Sequence, residues 1–133
     1  MQSARRQLEF RDGLIWIDVE LFTSDGYPVT EQFVLDTATS NTSLSVEVAE
    51  ALGYPESKKQ GNATYDTPHG PVLGYTVRLP AFKVMGRELQ DYLVGCQVFY
   101  SRLHVPGILG LDFFLGTDLL LSLRKQKSIH LAW

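Results

Sequence analysis

The sequence predicts a single mostly-β domain with one or two short helices, and three observations carry that prediction. Residues 14 to 22 alternate: Ile15, Ile17, Val19 and Leu21 point one way while Trp16, Asp18, Glu20 and Phe22 point the other. That period of two marks a half-buried strand. Turn signals then recur at short intervals, at Asp25-Gly26, Thr67-Pro-His-Gly-Pro71 and Met85-Gly86, as they do between consecutive strands. Helical stretches, by contrast, are short, at residues 46–52 and 113–117. At 133 residues the chain is one domain by length, residues 1–133.

The elements follow in order. After the first strand, Ser24-Asp-Gly-Tyr-Pro28 is a turn whose Asp-Gly pair favours a hairpin. A strand at Gln32 to Leu35 delivers Asp36. Ser43 or Ser45 caps a helix over Val46 to Leu52, which stops at Gly53 before Tyr54-Pro55. Glu56 to Asn62 is a polar loop. Ala63 to Asp66 and Val72 to Leu79 form a hairpin with its tip at Thr67 to Pro71. A strand near Ala81 to Val84, the Met85-Gly86 turn and a long apolar strand from Leu89 to Phe99 lead to Ile108-Leu109-Gly110. Asp112 is expected to cap the helix Phe113 to Thr117. Leu119 to Leu123 and Ile129 to Trp133 make a last hairpin.

Composition excludes several classes. Hydrophobic residues make up 44% and charged ones 20%, and the net charge is −3, so nothing marks the chain for nucleic acid. No run reaches the ~18 apolar residues of a membrane helix, and Met1-Gln-Ser-Ala-Arg-Arg6 lacks the apolar core of a signal peptide. A cytoplasmic protein, or a soluble domain of a larger one, is the expectation. Cys96 is the single cysteine. It lies in an apolar run, so a buried, inert thiol is expected. His69, His104 and His130 show no metal-ligand spacing, and neither a metal nor a cofactor is expected.

Two segments carry the chemistry. Phe33-Val-Leu-Asp-Thr-Ala-Thr-Ser-Asn-Thr-Ser-Leu44 is an apolar strand that runs into an acidic, hydroxyl-rich turn. Pro106-Gly-Ile-Leu-Gly-Leu-Asp-Phe-Phe-Leu115 lies downstream, with the hairpin between them. Together they resemble the retropepsin-like aspartic proteases, in which Asp-Thr/Ser-Gly-Ala-Ser/Thr follows a hydrophobic strand and an Ile-Leu-Gly-Xaa-Asp turn leads into a short helix. The resemblance spans residues 16–131. It implies a closed β-barrel with a flap hairpin, and a symmetric homodimer acting on extended peptides.

The resemblance assigns roles residue by residue. Asp36 is the catalytic acid. Thr37, Ala38 and Ser40 support the acid loop, with Thr37 bonding across the dimer axis. Thr67, Pro68, His69 and Gly70 form the flap. Ile108, Leu109 and Gly110 are the turn behind the acid loop, and the terminal strand ending at Trp133 helps form an intersubunit sheet. Tyr65 and Tyr75 on the flap arms either line side-chain pockets or pack across strands. Asp112 matches the turn acid, whose role is structural. Asp18, Asp25, Asp66 and Asp91 read as solvated strand or turn acids.

Such catalysis uses two carboxylates about 3 Å apart that share one proton. One acid loop per chain makes a twofold copy a mechanistic requirement. The sequence departs from the family at Ala38, where the family has Gly, and Thr39 is bulkier than the usual Ala. A non-glycine there strains a loop that needs glycine's conformations. The readings left open are an aspartic endopeptidase, an inactive relative that keeps groove and flap as a dimerisation or peptide-binding module, and an unrelated small β-barrel.

Overall fold

The computed structural model describes residues 1–99 and 104–133. Its strands are β1 (Ser3–Gln7), β2 (Glu9–Arg11), β3 (Leu14–Phe22), β4 (Pro28–Leu35), β5 (Ser43–Ser45), β6 (Gly61–Thr67), β7 (Gly70–Val84), β8 (Arg87–Gln97), β9 (Gly107–Leu109), β10 (Asp118–Ser122) and β11 (Ser128–Ala132). One α-helix, α1, covers Val46–Ala51, and single 3₁₀ turns cover Glu56–Lys58 and Leu111–Phe114.

The large sheet runs β2-β3-β4-β9-β5-β8-β7-β6, and a further pairing of β3 with β7 closes it into a ring. That closure, at Glu20↔Lys83 and Leu21↔Phe82, removes the central edges that an open sheet would leave unpaired. Val19, Leu21, Phe33, Leu44, Val77, Leu79, Phe82, Leu109 and Phe113 fill the ring and are almost wholly buried. Phe82 is the hub, with edge or tilted ring contacts to Phe33, Tyr92 and Phe113 at 5.0–5.8 Å, geometries that aromatic quadrupoles favour.

Local chemistry explains most boundaries. Ser45 caps α1 by accepting from the Val48 N–H at 3.1 Å, and Gly53, at φ +91, closes the helix end. Met85 and Gly86 both take positive φ, the condition for a tight two-residue hairpin. Several expectations are revised. The separate strands expected at 72–79 and 81–84 are one strand, β7, whose pairing with β8 skips Pro80. Proline has no N–H for the ladder, and the residue facing it, Asp91, takes a left-handed backbone at φ 53. The expected helix at 113–117 is a 3₁₀ turn beginning at Leu111.

The termini differ too. β1 and β2 were not anticipated, because they are short and mostly polar and exposed, with Ala4 and Phe10 their only apolar residues. β1 joins β11 and β10 in a second, three-stranded sheet ordered β1-β11-β10. The terminal strand β11 is therefore interior, paired on both sides within one chain. A partner strand could reach this sheet only through β1 or β10. No helix of the described residues is long and apolar enough to cross a membrane.

Candidate active site

The acid loop is built around the end of β9. That short strand pairs in parallel with β4, Val34↔Ile108 and Leu35↔Leu109, and antiparallel with β5, Ser43↔Ile108 and Leu44↔Gly107. Residues 36–42 thus leave β4, cross the tip of β9 and return along its other side. Backbone bonds fix the crossing: Asp36 N–H donates to the Leu109 carbonyl (3.0 Å), Leu111 N–H to Thr39 (2.8 Å) and Asp112 N–H to Ser40 (3.1 Å). Gly110 sits where the two segments touch. A Cβ there would lie 2.8 Å from the Asn41 carbonyl carbon and 2.9 Å from the Thr39 oxygen, closer than atoms of a packed interior approach.

Within the loop the Asp36 carboxylate is half-buried and held at both oxygens. The Ala38 N–H donates to Oδ1 and the Thr39 hydroxyl to Oδ2, each at 2.9 Å. Both bonds fix the direction in which the carboxylate points. Ala38 is exposed and is not among the described non-glycine residues with positive φ, which are Asp12, Met85 and Asp91. The backbone strain expected at Ala38 is therefore absent. Thr37 and Ser40 are also exposed.

Beneath the loop lies a buried polar clasp. Thr42, with no solvent exposure, donates its N–H (2.9 Å) and its hydroxyl (2.7 Å) to Asp112 Oδ1. Its hydroxyl oxygen accepts from the Gly110 N–H at 3.0 Å. Tyr92, reaching in from β8, donates to Asp112 Oδ2 at 2.6 Å. Burial, and then this bond, push the Tyr92 hydroxyl well above the ordinary tyrosine range, so it stays a donor. Asp112 is thus not a helix cap. Gly110 holds the cap position of the 3₁₀ turn without a side-chain bond, and the carboxylate ties the turn to the acid loop.

A cleft of about 730 Å³ opens over Asp36. The acid loop lines one side with Ala38, Thr39 and Ser40, and Thr67, Pro68 and His69 of the β6–β7 hairpin line another, with Ile108 also on the wall. Thr67 and Gly70 pair across a tight turn, with the Thr67 hydroxyl donating to the Gly70 carbonyl at 2.6 Å. Two carboxylates, Asp36 and Asp66, line the cleft, and no lysine or arginine lines it among the described residues. The two tyrosines part company. Tyr65 lines the cleft, lying over Gly74 and Gly95, where a Cβ would come within 2.8 Å of its ring and 1.7 Å of its hydroxyl oxygen respectively. Tyr75 is core, donating to the Tyr54 carbonyl at 3.1 Å.

The structure thus gathers Asp36, Ala38, Ser40, Ile108 and the hairpin residues Thr67, Pro68 and His69 around one cleft, with Gly110 directly behind. The sequence marked Thr39 only for its bulk, with no bond to Asp36 foreseen, and gave no role to Thr42 or Tyr92. Thr39 carried a local signal, a hydroxyl three residues beyond an acid in a turn. Thr42 and Tyr92 carried none, because their partner Asp112 is distant in sequence.

The aspartyl protease family model matches residues 19–113, a span that includes both the acid loop and the Ile108 turn. The chain belongs to the aspartyl protease family. Solved structures agree on the fold of this family member. A retropepsin-like aspartic protease from Rickettsia conorii is 18% identical with a TM-score of 0.68, covering 99% of this chain and 95% of that one. The EIAV protease, in complex with the inhibitor HBY-793, is 22% identical with a TM-score of 0.59, over 85% and 98% of the two chains. The retroviral protease-like domain of Ddi1 from Leishmania major is 11% identical with a TM-score of 0.55, over 84% and 82%. The fold is retropepsin-like and mostly β. No curated protein sequence matches the chain significantly.

Proposed function

We propose that this aspartyl protease family member is an endopeptidase that hydrolyses peptide bonds between the Asp36 carboxylates of a symmetric homodimer. The observation that carries the reading is Asp36 itself, held at both oxygens by Ala38 and Thr39 on the floor of a cleft lined by a hairpin tip. One such loop per chain supplies one carboxylate, and the reaction needs two.

The ionised Asp36 takes a proton from a water molecule as its oxygen attacks the scissile carbonyl carbon. The neutral Asp36 gives its proton to the carbonyl oxygen, forming a tetrahedral diol. Transfer of a proton to the amide nitrogen lets the C–N bond break, releasing a carboxylic acid and an amine. Thr37 joins the two acid loops across the twofold axis, and Ser40 supplies a hydroxyl at the loop's far side. The Ile108-Leu109-Gly110 turn holds the loop from behind. Thr67 to Gly70 close over an extended peptide, which binds as an added strand.

An inactive relative would rest on Ala38 crowding the dyad. The ordinary backbone of Ala38 and its N–H bond to Asp36 favour the active reading. The test is cleavage of a proteome-derived peptide library across acidic to neutral pH, wild type beside Asp36→Asn. Cleavage by the wild type alone is expected. A folded dimer that cleaves nothing would make the chain a peptide-binding or dimerisation module.

A further inference from the structure

The small sheet has an inner and an outer face. Ile129 and Leu131 of β11 are buried in the core, so His130 between them points outward. Register sets Arg5 of β1, His130 and Leu120 of β10 in one row across that outer face. Past the end of the row comes the β10–β11 turn, Leu123-Arg-Lys-Gln-Lys127, exposed along its whole length. The Leu8 N–H donates to the Lys127 carbonyl at 3.0 Å and draws the turn against the end of β1.

This arrangement concentrates one sign of charge. Arg5, Arg124 and Lys125 line one shallow hollow, Arg5, Arg6, Lys125 and Lys127 line the next, and no acid lines either. The chain has 12 Lys and Arg and a net charge of −3, so these five leave seven cations against 15 acids elsewhere. The ion pairs among the described residues, Arg11–Glu9 and Lys59–Glu56, involve none of the five. The one acid on the three strands, Asp118, stands at the far end of β10 from the turn. Pairing within the fold does not account for the cluster.

Two leucines stand among these cations. Leu120 is 61% and Leu123 63% exposed, the first in the row that holds Arg5 and the second directly before Arg124. Open leucines scattered singly are ordinary; leucines set inside a basic cluster combine two attractions. A soluble polyanion would use the charge and leave the leucines in water. An anionic bilayer uses both, since its surface potential attracts cations and its headgroup layer takes up apolar side chains.

We infer that this face docks on the surface of an anionic lipid bilayer, with Leu120 and Leu123 entering the headgroup layer and the five cations set against lipid phosphates and carboxylates. None of these residues lines the cleft over Asp36, so docking does not occupy it. The inference stands apart from the protease reading and fails or holds without it.

The experiment is cosedimentation of the protein with vesicles of phosphatidylcholine, with and without phosphatidylserine. Wild type should bind the anionic vesicles alone, and less tightly as salt rises. Lys125→Gln combined with Lys127→Gln should weaken binding by about thirtyfold. Lys58→Gln combined with Lys59→Gln makes the same change in net charge on another part of the surface and should leave binding as it was. Leu123→Ser should weaken it by about tenfold. All five positions are exposed, so the variants should keep the wild-type unfolding midpoint. Absence of binding to the anionic vesicles overturns the inference, as does an equal loss in the Lys58 and Lys59 control. A Leu123→Ser protein that binds as tightly as wild type overturns it too; wild type that then binds heparin equally well would make the face a site for soluble polyanions.

Discussion

Gly110→Ala should damage this site more than its single added carbon suggests. The new Cβ would stand 2.8 Å from the Asn41 carbonyl carbon, 2.9 Å from the Thr39 oxygen and 3.0 Å from the Asn41 oxygen. All three are backbone atoms of the acid loop, so no side chain can rotate away. Normal contact requires the loop to retreat by about 0.5–1 Å. Gly110 itself has φ −98 and ψ −179, an extended conformation open to alanine. The substitution therefore gains about 0.4–1 kcal/mol by restricting the unfolded chain, against an overpacking cost of about 1–3 kcal/mol. The net loss is about 1–2 kcal/mol, seen in urea unfolding as a lower midpoint at unchanged slope. Because the displaced loop carries Asp36, kcat should fall by about 100-fold for a shift near 1 Å. Gly26→Ala is the comparison. Gly26 has φ +91 and nothing near its Cβ position, so that change should cost about 1 kcal/mol and leave kcat alone. If Gly110→Ala were as stable and active as wild type, the close packing of the turn behind the acid loop would be refuted.

Other outcomes follow from the same geometry. Tyr92→Phe removes the donor to Asp112 Oδ2 and should cost about 1.5–3 kcal/mol, as for hydrogen bonds to charged groups; an unchanged unfolding midpoint would show that the clasp holds nothing. Ala38→Gly should lower stability by about 0.5–1 kcal/mol, since an unstrained alanine restricts the unfolded chain, whereas a stabilised protein would reveal strain at that position. Burial pushes the Cys96 thiol up to about 12 from 9.0. Below pH 9 it is protonated whether folded or unfolded and contributes no pH dependence. Between pH 9 and 12 the unfolded chain loses the proton first, so stability should fall as pH rises, and Cys96→Ala should flatten that fall. Thiol labelling at pH 8 should likewise require unfolding, and rapid labelling of the native protein would contradict the burial.

What the sequence revealed was what lies close together in the chain. Alternation identified β3, Asp25-Gly26 and Met85-Gly86 identified their turns, and Ser45 with Gly53 bounded α1, because each signal acts within a few residues. Arg11-Asp12-Gly13-Leu14 carried the same kind of signal and was passed over. Asp12 and Gly13 both take positive φ and join β2 to β3. β1 was hidden for another reason: Ser-Ala-Arg-Arg-Gln has no apolar face, and only its partner β11 makes it a strand. The acid loop was legible through its motif, but its support was not. Thr42, Tyr92 and Asp112 converge only through the tertiary fold, and Asp112 looked like an ordinary cap because Asp directly before a helical stretch is a favoured N-cap.

The central claim, one catalytic carboxylate from each of two chains, is tested most directly by mixing. Wild type and Asp36→Asn would be combined in equal amounts, allowed to exchange subunits, and assayed on a peptide that wild type cleaves. A shared dyad puts about half of the wild-type chains into dimers with a single acid, so the rate per wild-type chain should fall by about half. An undiminished rate after demonstrated exchange would mean that each chain works alone, and the two-carboxylate account would be wrong.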